Sequence, residues 1–273
     1  MADPLSLVAL GAVVGGAASK FVEKAWDAGE KWLSSYFADH HETAVKTARA
    51  NASSFLDELA RRVKALEEAH AVSTETIATA QEHPGFSVAL QKAMLTAAQT
   101  DDPKKHTLLA RLIADRLRAS PDGLLALAGK MACESIAYAT PAQLRILGLE
   151  AALAYVGPRS ELSQDAYSAW VTEHLQPFAD LRIGALDLVH LEALSCLKVE
   201  SFMGRDLAEI LRKKNGDKFD AEAFFVSPLG TAIQHLWKEG GLEKVVLTSV
   251  GQIIGVYVSD LNSGVTTHFA GWD

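Results

Sequence analysis

Cysteine is almost absent from this chain of 273 residues, which contains only Cys133 and Cys196. Each of the two lies within an apolar helical pattern. Their spacing provides neither the framework of a disulfide-stabilised secreted domain nor the paired ligands of a zinc site. We therefore expect a protein of the reducing cytoplasm.

An excess of positive charge and a long apolar run are also missing. The net charge is −8 at pH 7, whereas a general phosphate-binding surface needs an excess of lysine and arginine. After the first apolar segment, no stretch reaches the roughly eighteen apolar residues of a transmembrane helix. Asp3 and Pro4 precede that segment, where a secretory signal would carry basic residues, so no signal peptide is expected.

Recognisable catalytic motifs are missing as well. Walker A, GxGxxG, GxSxG, HExxH and paired CxxC patterns do not occur. Ser195 and Lys198 fit SxxK, in which a lysine base lies one helical turn from a serine, but the SDN and KTG companions are absent. In Asp39–Glu42, neighbouring side chains point to different sides, so at most two of the four could bind one metal ion without a ligand from elsewhere in the chain. The sequence favours a non-enzymatic protein and identifies no catalytic residue, metal ligand or cofactor.

The segment from Leu5 to Ser19 carries no charged side chain, and Gly11 with Gly15 forms a GxxxG pair. Small residues at this spacing let another helix approach closely. A helix of this length is roughly 22 Å long, which is short of a ~30 Å membrane core. An amphipathic helix with an aromatic face follows. The predicted contact residues for self-association or membrane insertion are Gly11, Gly15, Gly16, Trp26, Trp32 and Phe37.

The partner of this N-terminal surface is left open between the chain itself, a second copy and a lipid bilayer. Residues 1–40 contain three lysines against five acidic residues. A helix on anionic lipid usually carries a basic excess. Protein packing is therefore slightly favoured over lipid. If lipid is the partner, the protein would lie in the cytoplasm at the periphery of the inner membrane.

Eight prolines, nineteen glycines and 49% hydrophobic residues predict a mainly α protein with a sizeable core. We expect apolar N-terminal helices over 1–40, a helical bundle over 41–158, and a smaller α+β domain over 159–273. A long helix over 42–71 has an apolar stripe at four-residue steps. The helix over 123–139 has the most buried pattern of the middle region.

The end of the chain has the order helix, Gly-Gly-Leu, short strand and helix, which resembles the closing half of a winged-helix domain. The cluster of Arg212, Lys213, Lys214 and Lys218 is the candidate nucleic-acid contact. From Arg205 to Ser249, however, seven basic residues are balanced by seven acidic ones. A contact with a protein partner is therefore favoured over one with nucleic acid.

Four segments resemble a poorly characterised group of bacterial helical proteins. They are PGFSVALQKAMLTAAQTDDPKKHTLLARLIADRL, TPAQLRILGL, HLEALSCLKVESF and LTSVGQIIG. In order and spacing, over about residues 42–260, the chain resembles proteins of the Abi-alpha abortive-infection type. The resemblance implies a bacterial, non-enzymatic protein linked to phage defence, and it supplies no catalytic residues. The glycine-containing N-terminal segment departs from this group.

Together these observations predict an interaction or effector protein that self-associates or inserts into a membrane through its N-terminus. The alternative is a nucleic-acid-binding regulator that uses its C-terminal domain.

Overall fold

The computed structural model describes residues 16–202 and 204–267. This part of the chain forms thirteen α-helices and one two-stranded antiparallel sheet, which confirms the mainly α prediction. Packing divides the chain into two compact units that separate between Ala137 and Tyr138. The helices up to this division are α1 (Gly16–Tyr36), α2 (Glu42–Glu68), α3 (Thr74–Glu82), α4 (Pro84–Ala98), α5 (Pro103–Arg116) and α6 (Leu124–Tyr138).

The second unit contains the remaining helices and both strands. Short 3-10 turns follow α8 and precede β2. The elements are α7 (Pro141–Ala154), α8 (Gln164–Leu175), α9 (Ala185–Ala193), β1 (Leu197–Val199), α10 (Leu207–Lys213), α11 (Ala221–Val226), α12 (Pro228–Lys238), β2 (Val245–Leu247) and α13 (Ser249–Ser263).

Helix α2 forms the centre of the first unit, where it packs against α1, α4 and α5. The predicted apolar stripe is confirmed from Ala48 to Val63, where the side chains are almost completely buried. The buried residues of α2 are Ala48, Ala52, Phe55, Leu56, Leu59, Ala60 and Val63.

A buried histidine joins α5 to its neighbours. His106 Nδ1 lies 3.2 Å from the Ser54 hydroxyl of α2, and Nε2 lies 2.8 Å from the Thr100 carbonyl oxygen. Because both ring nitrogens have protein partners, this histidine has a structural role. Asp102 caps the same helix by accepting a hydrogen bond from Lys104 N, and Pro103 follows it at the first helical position.

Helix α1 belongs to the first unit, since it packs on α2, α3 and α4. The predicted separate segment over 1–40 therefore does not hold for residues 16–36. Within residues 16–202 and 204–267, no helix is both long and apolar enough to cross a membrane.

The core of the second unit is the contact between α7 and α13. Two glycines allow the helices to approach closely. A Cβ at Gly148 would lie 2.5 Å from Val258 Cγ1, and a Cβ at Gly255 would overlap the carbonyl oxygen of Leu147. Because α7 packs here, the division lies before it, and the boundary predicted at residue 158 falls inside the second unit.

Strands β1 and β2 pair antiparallel, with Leu197 opposite Leu247 and Val199 opposite Val245. The short strand predicted after Gly-Gly-Leu is confirmed as β2. The apolar pattern over 186–197 reads as one helix, but α9 ends at Ala193 and Ser195 adopts a positive φ of 57°. The reversed backbone places Cys196 beside α13, where its carbonyl oxygen accepts a hydrogen bond from Thr248.

Candidate functional site

The structure describes only some of the predicted N-terminal contact residues. Gly11 and Gly15 lie outside the described residues, and Gly16 is the first residue of α1. The close-packing face built on the GxxxG pair therefore stays a prediction.

The aromatic face of α1 is largely covered by the chain itself. Trp26 and Phe37 are only 6% and 8% exposed. Trp32 is half-buried and lines a cavity of about 300 Å³ between α1, α3 and α4. A Cβ at Gly29 would overlap the Met94 side chain, so this glycine lets α4 pack directly on α1. Trp26 and Phe37 are therefore packed within this chain, which is one of the three partners that the sequence left open.

The predicted basic cluster is largely neutralised. Lys213 forms an ion pair with Glu209 at 2.5 Å, and Lys218 forms one with Glu161 at 2.7 Å. Lys214 turns inward. Its Nζ donates to the carbonyl oxygens of Ala152 and Val156 at the end of α7, at 2.6 and 2.5 Å.

Of the four predicted nucleic-acid contacts, this arrangement leaves Arg212 as an exposed cation for which no ion pair is seen among the described residues. Lys214 instead stabilises the negative end of the α7 helix dipole.

Sequence reasoning missed a buried contact between Glu150 and Arg205 in the second unit. The Glu150 side chain on α7 is 1% exposed, and its Oε1 accepts a hydrogen bond from Arg205 Nη2 at 2.6 Å. The same nitrogen donates to the Leu242 carbonyl oxygen at 2.9 Å. The guanidinium lies 4.8 Å from the centre of the Trp237 ring, whose Nε1 donates to the Arg205 carbonyl oxygen. The pair thus joins α7, the loop before α10 and α12.

Burial dominates the protonation of this cluster. It raises the pKa of Glu150 to about 8, although the charges of Arg205 and Lys214 oppose the rise. It also lowers the pKa of Lys214 to about 7, with Glu150 opposing the decrease. Burial and the charge of Glu150 raise the pKa of Tyr155. Desolvation disfavours each charged form, which explains the opposite directions for the acid and the base.

The chemistry available to this cluster is limited. Among the described residues, Glu150 Oε2 and Arg205 Nε have no hydrogen-bond partner. The hydrogen bond seen for the carboxylate is to Arg205, so no nucleophile is placed against it for general-base chemistry. One sequence signal could have identified the position. Glu150 is the single acidic residue of the apolar stretch LGLEAALA.

The SxxK pattern does not form the arrangement that its spacing suggests. Ser195 follows the end of α9, and Lys198 lies on β1. The two residues therefore share no helical turn. Nor, within residues 16–202 and 204–267, do three His, Cys, Asp or Glu side chains converge as metal ligands.

Helix α6 presents an apolar surface that the sequence reasoning placed in the core. Its small residues Ala126, Ala128 and Ala132 are buried, but larger side chains lie on the opposite side. Leu124, Leu127 and Met131 are 51%, 51% and 49% exposed. Their spacing of three and four residues puts them on one stripe, which we call the α6 stripe. Apart from Lys130 and Glu134, α6 carries no charged side chain, so its pattern does not show which face is covered.

One protein-family model matches residues 19–225, which is about three quarters of the chain. The chain belongs to this family. No curated protein and no solved structure matches the chain significantly.

Proposed function

We propose that this protein is a non-enzymatic interaction protein that self-associates through its uncharged N-terminal segment. One observation carries the proposal. From Ala18 onward, helix α1 packs into the core of the first unit, where Phe21 and Trp26 are buried. The preceding segment from Leu5 to Gly15, which carries no charge, is thus joined directly to an anchored helix. A folded unit that holds one end of a close-packing segment favours its pairing with a second copy.

The α6 stripe supports the same proposal. Three large apolar side chains are exposed to water on one face. Covering them with a protein surface removes apolar area from water and lowers the free energy. The polar clusters of the described residues give independent support for a non-enzymatic role, since His106 and Glu150 are engaged with structural partners.

The test compares the full chain with a chain that begins at Gly16. A chain that begins at residue 41 is unsuitable for this comparison, because it would also lack α1, which is part of the core of the first unit. We expect sedimentation velocity to show an oligomer for the full chain and a smaller species for the shortened one. Gly11→Leu with Gly15→Leu should weaken association about tenfold, which is ~1.4 kcal/mol. Val13→Leu is the matched control, since position 13 lies opposite positions 11 and 15 on a helix.

Lipid is the alternative partner of the same segment, and it would place the protein at the inner membrane. Flotation with anionic liposomes and release of a trapped dye distinguish the two partners. Flotation that depends on Gly11 and Gly15 would favour membrane insertion over self-association. A monomeric full chain that neither floats nor releases dye would refute both.

We also propose a role in phage defence, supported by the resemblance of four segments to Abi-alpha-type proteins. Bacteria that produce the full chain should reduce phage plating efficiency relative to bacteria that produce the chain from Gly16. Equal plating of phages in both strains would refute an effector role for the N-terminal segment.

A nucleic-acid-binding regulator remains the second candidate, with a winged-helix-like arrangement at the end of the chain. The order of α9, β1, α10 to α12 and β2, with the two strands paired, favours it. The ion pairs of Lys213 and Lys218 weaken it. Binding to duplex DNA should then weaken steeply with salt, because each phosphate contact releases counterions. A flat salt dependence would refute this candidate.

A further inference from the structure

A cavity of about 480 Å³ lies in the first unit, and no residue of the α6 stripe lines it. Its volume falls within the range of about 300 to 1,000 Å³ that is typical of small-molecule sites. One wall is α3, from Glu75 to Ala80. The other is the chain from Arg116 to Pro121, and His83 and Phe86 close the cavity between them.

Arg116 is the unusual member of this lining, because it is only 9% exposed. Its Nη1 donates to the Ala126 carbonyl oxygen. Its Nη2 lies beside Gly85, where a Cβ would be 3.1 Å away. Throughout the described residues, no carboxylate lies within ion-pair distance of this guanidinium, and Asp122 acts on it only from farther away.

A buried positive charge without an ion-pair partner is costly, and an anion in the adjoining cavity would lower that cost. A guanidinium also presents parallel N–H groups that fit the two oxygens of a carboxylate or phosphate. Arg116 therefore supplies a specific recognition group, whereas a single surface lysine would supply only charge.

Other lining groups are consistent with an anionic ligand that has an apolar part. His83 Nδ1 accepts a hydrogen bond from Gly85 N at 3.2 Å, so a neutral ring carries its proton on Nε2 and can donate it. Phe86 and Leu117, both 3% exposed, provide apolar surface. Arg118 is paired with Asp115 at 2.5 Å and adds little net charge. Glu75 is exposed, so solvent screens its opposing charge.

We propose that this cavity binds a small organic anion, whose carboxylate or phosphate pairs with Arg116 and whose apolar part packs against Phe86 and Leu117. The self-association proposed above is not required for this site. Its failure would leave this inference unaffected.

The test is calorimetric titration of the full chain with phenyl phosphate, benzoate, inorganic phosphate and the neutral benzamide. We expect saturable binding of at least one aryl anion and much weaker binding of benzamide. The comparison of phenyl phosphate with benzoate identifies the preferred anionic group, and inorganic phosphate shows how much the apolar part contributes.

Two variants test the assignment by different routes. Arg116→Met keeps most of the side-chain volume and should weaken anion binding by about tenfold or more. Thr79 lies on an exposed part of the cavity wall. Thr79→Tyr leaves Arg116 intact, and its larger side chain should block the cavity. Circular dichroism verifies that both variants are folded. Arg118→Met is the matched control and should bind almost normally.

Three results would overturn the proposal. One is the absence of saturable binding by every anion. Another is equal binding of benzamide and benzoate. The third is unchanged anion affinity in the folded Thr79→Tyr chain.

Discussion

Replacement of Glu150 by Gln should change how the stability of the second unit depends on pH. The folded chain holds a proton on Glu150 up to a pKa of about 8, while the unfolded chain releases it near the ordinary value of 4.5. Between these values the folded state binds the extra proton. Stability is therefore highest below pH 4.5 and falls as the pH rises towards 8.

The magnitude follows from this interval. At about 1.36 kcal/mol for each pH unit, the loss is at most about 5 kcal/mol, and relaxation around the charge reduces it to ~2–5 kcal/mol. The neutral Gln avoids this loss. The difference in the free energy of unfolding between Glu150→Gln and the native chain should therefore grow steadily between pH 5 and 8.

Lys214 must be considered in the same measurement, because the pKa of its ammonium is lowered to about 7. The unfolded chain binds a proton there up to the ordinary pKa of 10.5, so this group makes stability rise with pH above 7. Arg205, whose Nη2 lies 2.6 Å from Glu150 Oε1, is unchanged between the two chains. The interval from pH 5 to 7 therefore isolates the contribution of Glu150.

Hydrogen exchange of peptides from α7, corrected for the intrinsic rate at each pH, measures the opening free energy of this helix. Glu161→Gln is the control, since Glu161 is an exposed partner of Lys218 and should change the opening free energy little. The reasoning is refuted if the native and Glu150→Gln chains lose protection in parallel from pH 5 to 7.

Three further outcomes are expected. Gly255→Ala should destabilise the second unit by about 1–3 kcal/mol in urea unfolding, because the new methyl group would overlap the Leu147 carbonyl oxygen. Gly157→Ala is the control. Its methyl group would enter open space, so the free energy of unfolding should change little. A chain beginning at His41 should lose the cooperative unfolding of its first unit, since α1 is missing, while one beginning at Gly16 keeps it in calorimetry. Leu127→Glu should reduce the oligomer mass in light scattering at unchanged Tm, and a lowered Tm with unchanged mass would contradict a contact role for the α6 stripe.

Some parts of the fold could be read directly from the chain because they depend on local spacing. The apolar positions of α2 recur at the helical period, and Asp102 before Pro103 marks the start of α5. These features were predictable because a helix determines, through its own geometry, which side chains share a face.

The errors arose where two distant parts of the chain meet. Few residues of α6 are charged, and its pattern does not specify which side another element covers. Leu197 reads as helical from its neighbours, but pairing with Leu247, fifty residues later, makes it part of a strand. Trp26 and Phe37 form an amphipathic face whose covering partner cannot be inferred from the face alone.

The sequence by itself determined the helical class, the main helix starts, the uncharged N-terminal segment and the lack of known catalytic motifs. Only the tertiary structure decided that α1 is part of a core, that Lys214 turns inward, that Glu150 meets Arg205 and that Arg116 borders a cavity. The physical reason is that helical periodicity is a local property. Burial and pairing of charges, in contrast, depend on residues such as Glu150 and Arg205 that are far apart in the chain and become neighbours only when helices pack.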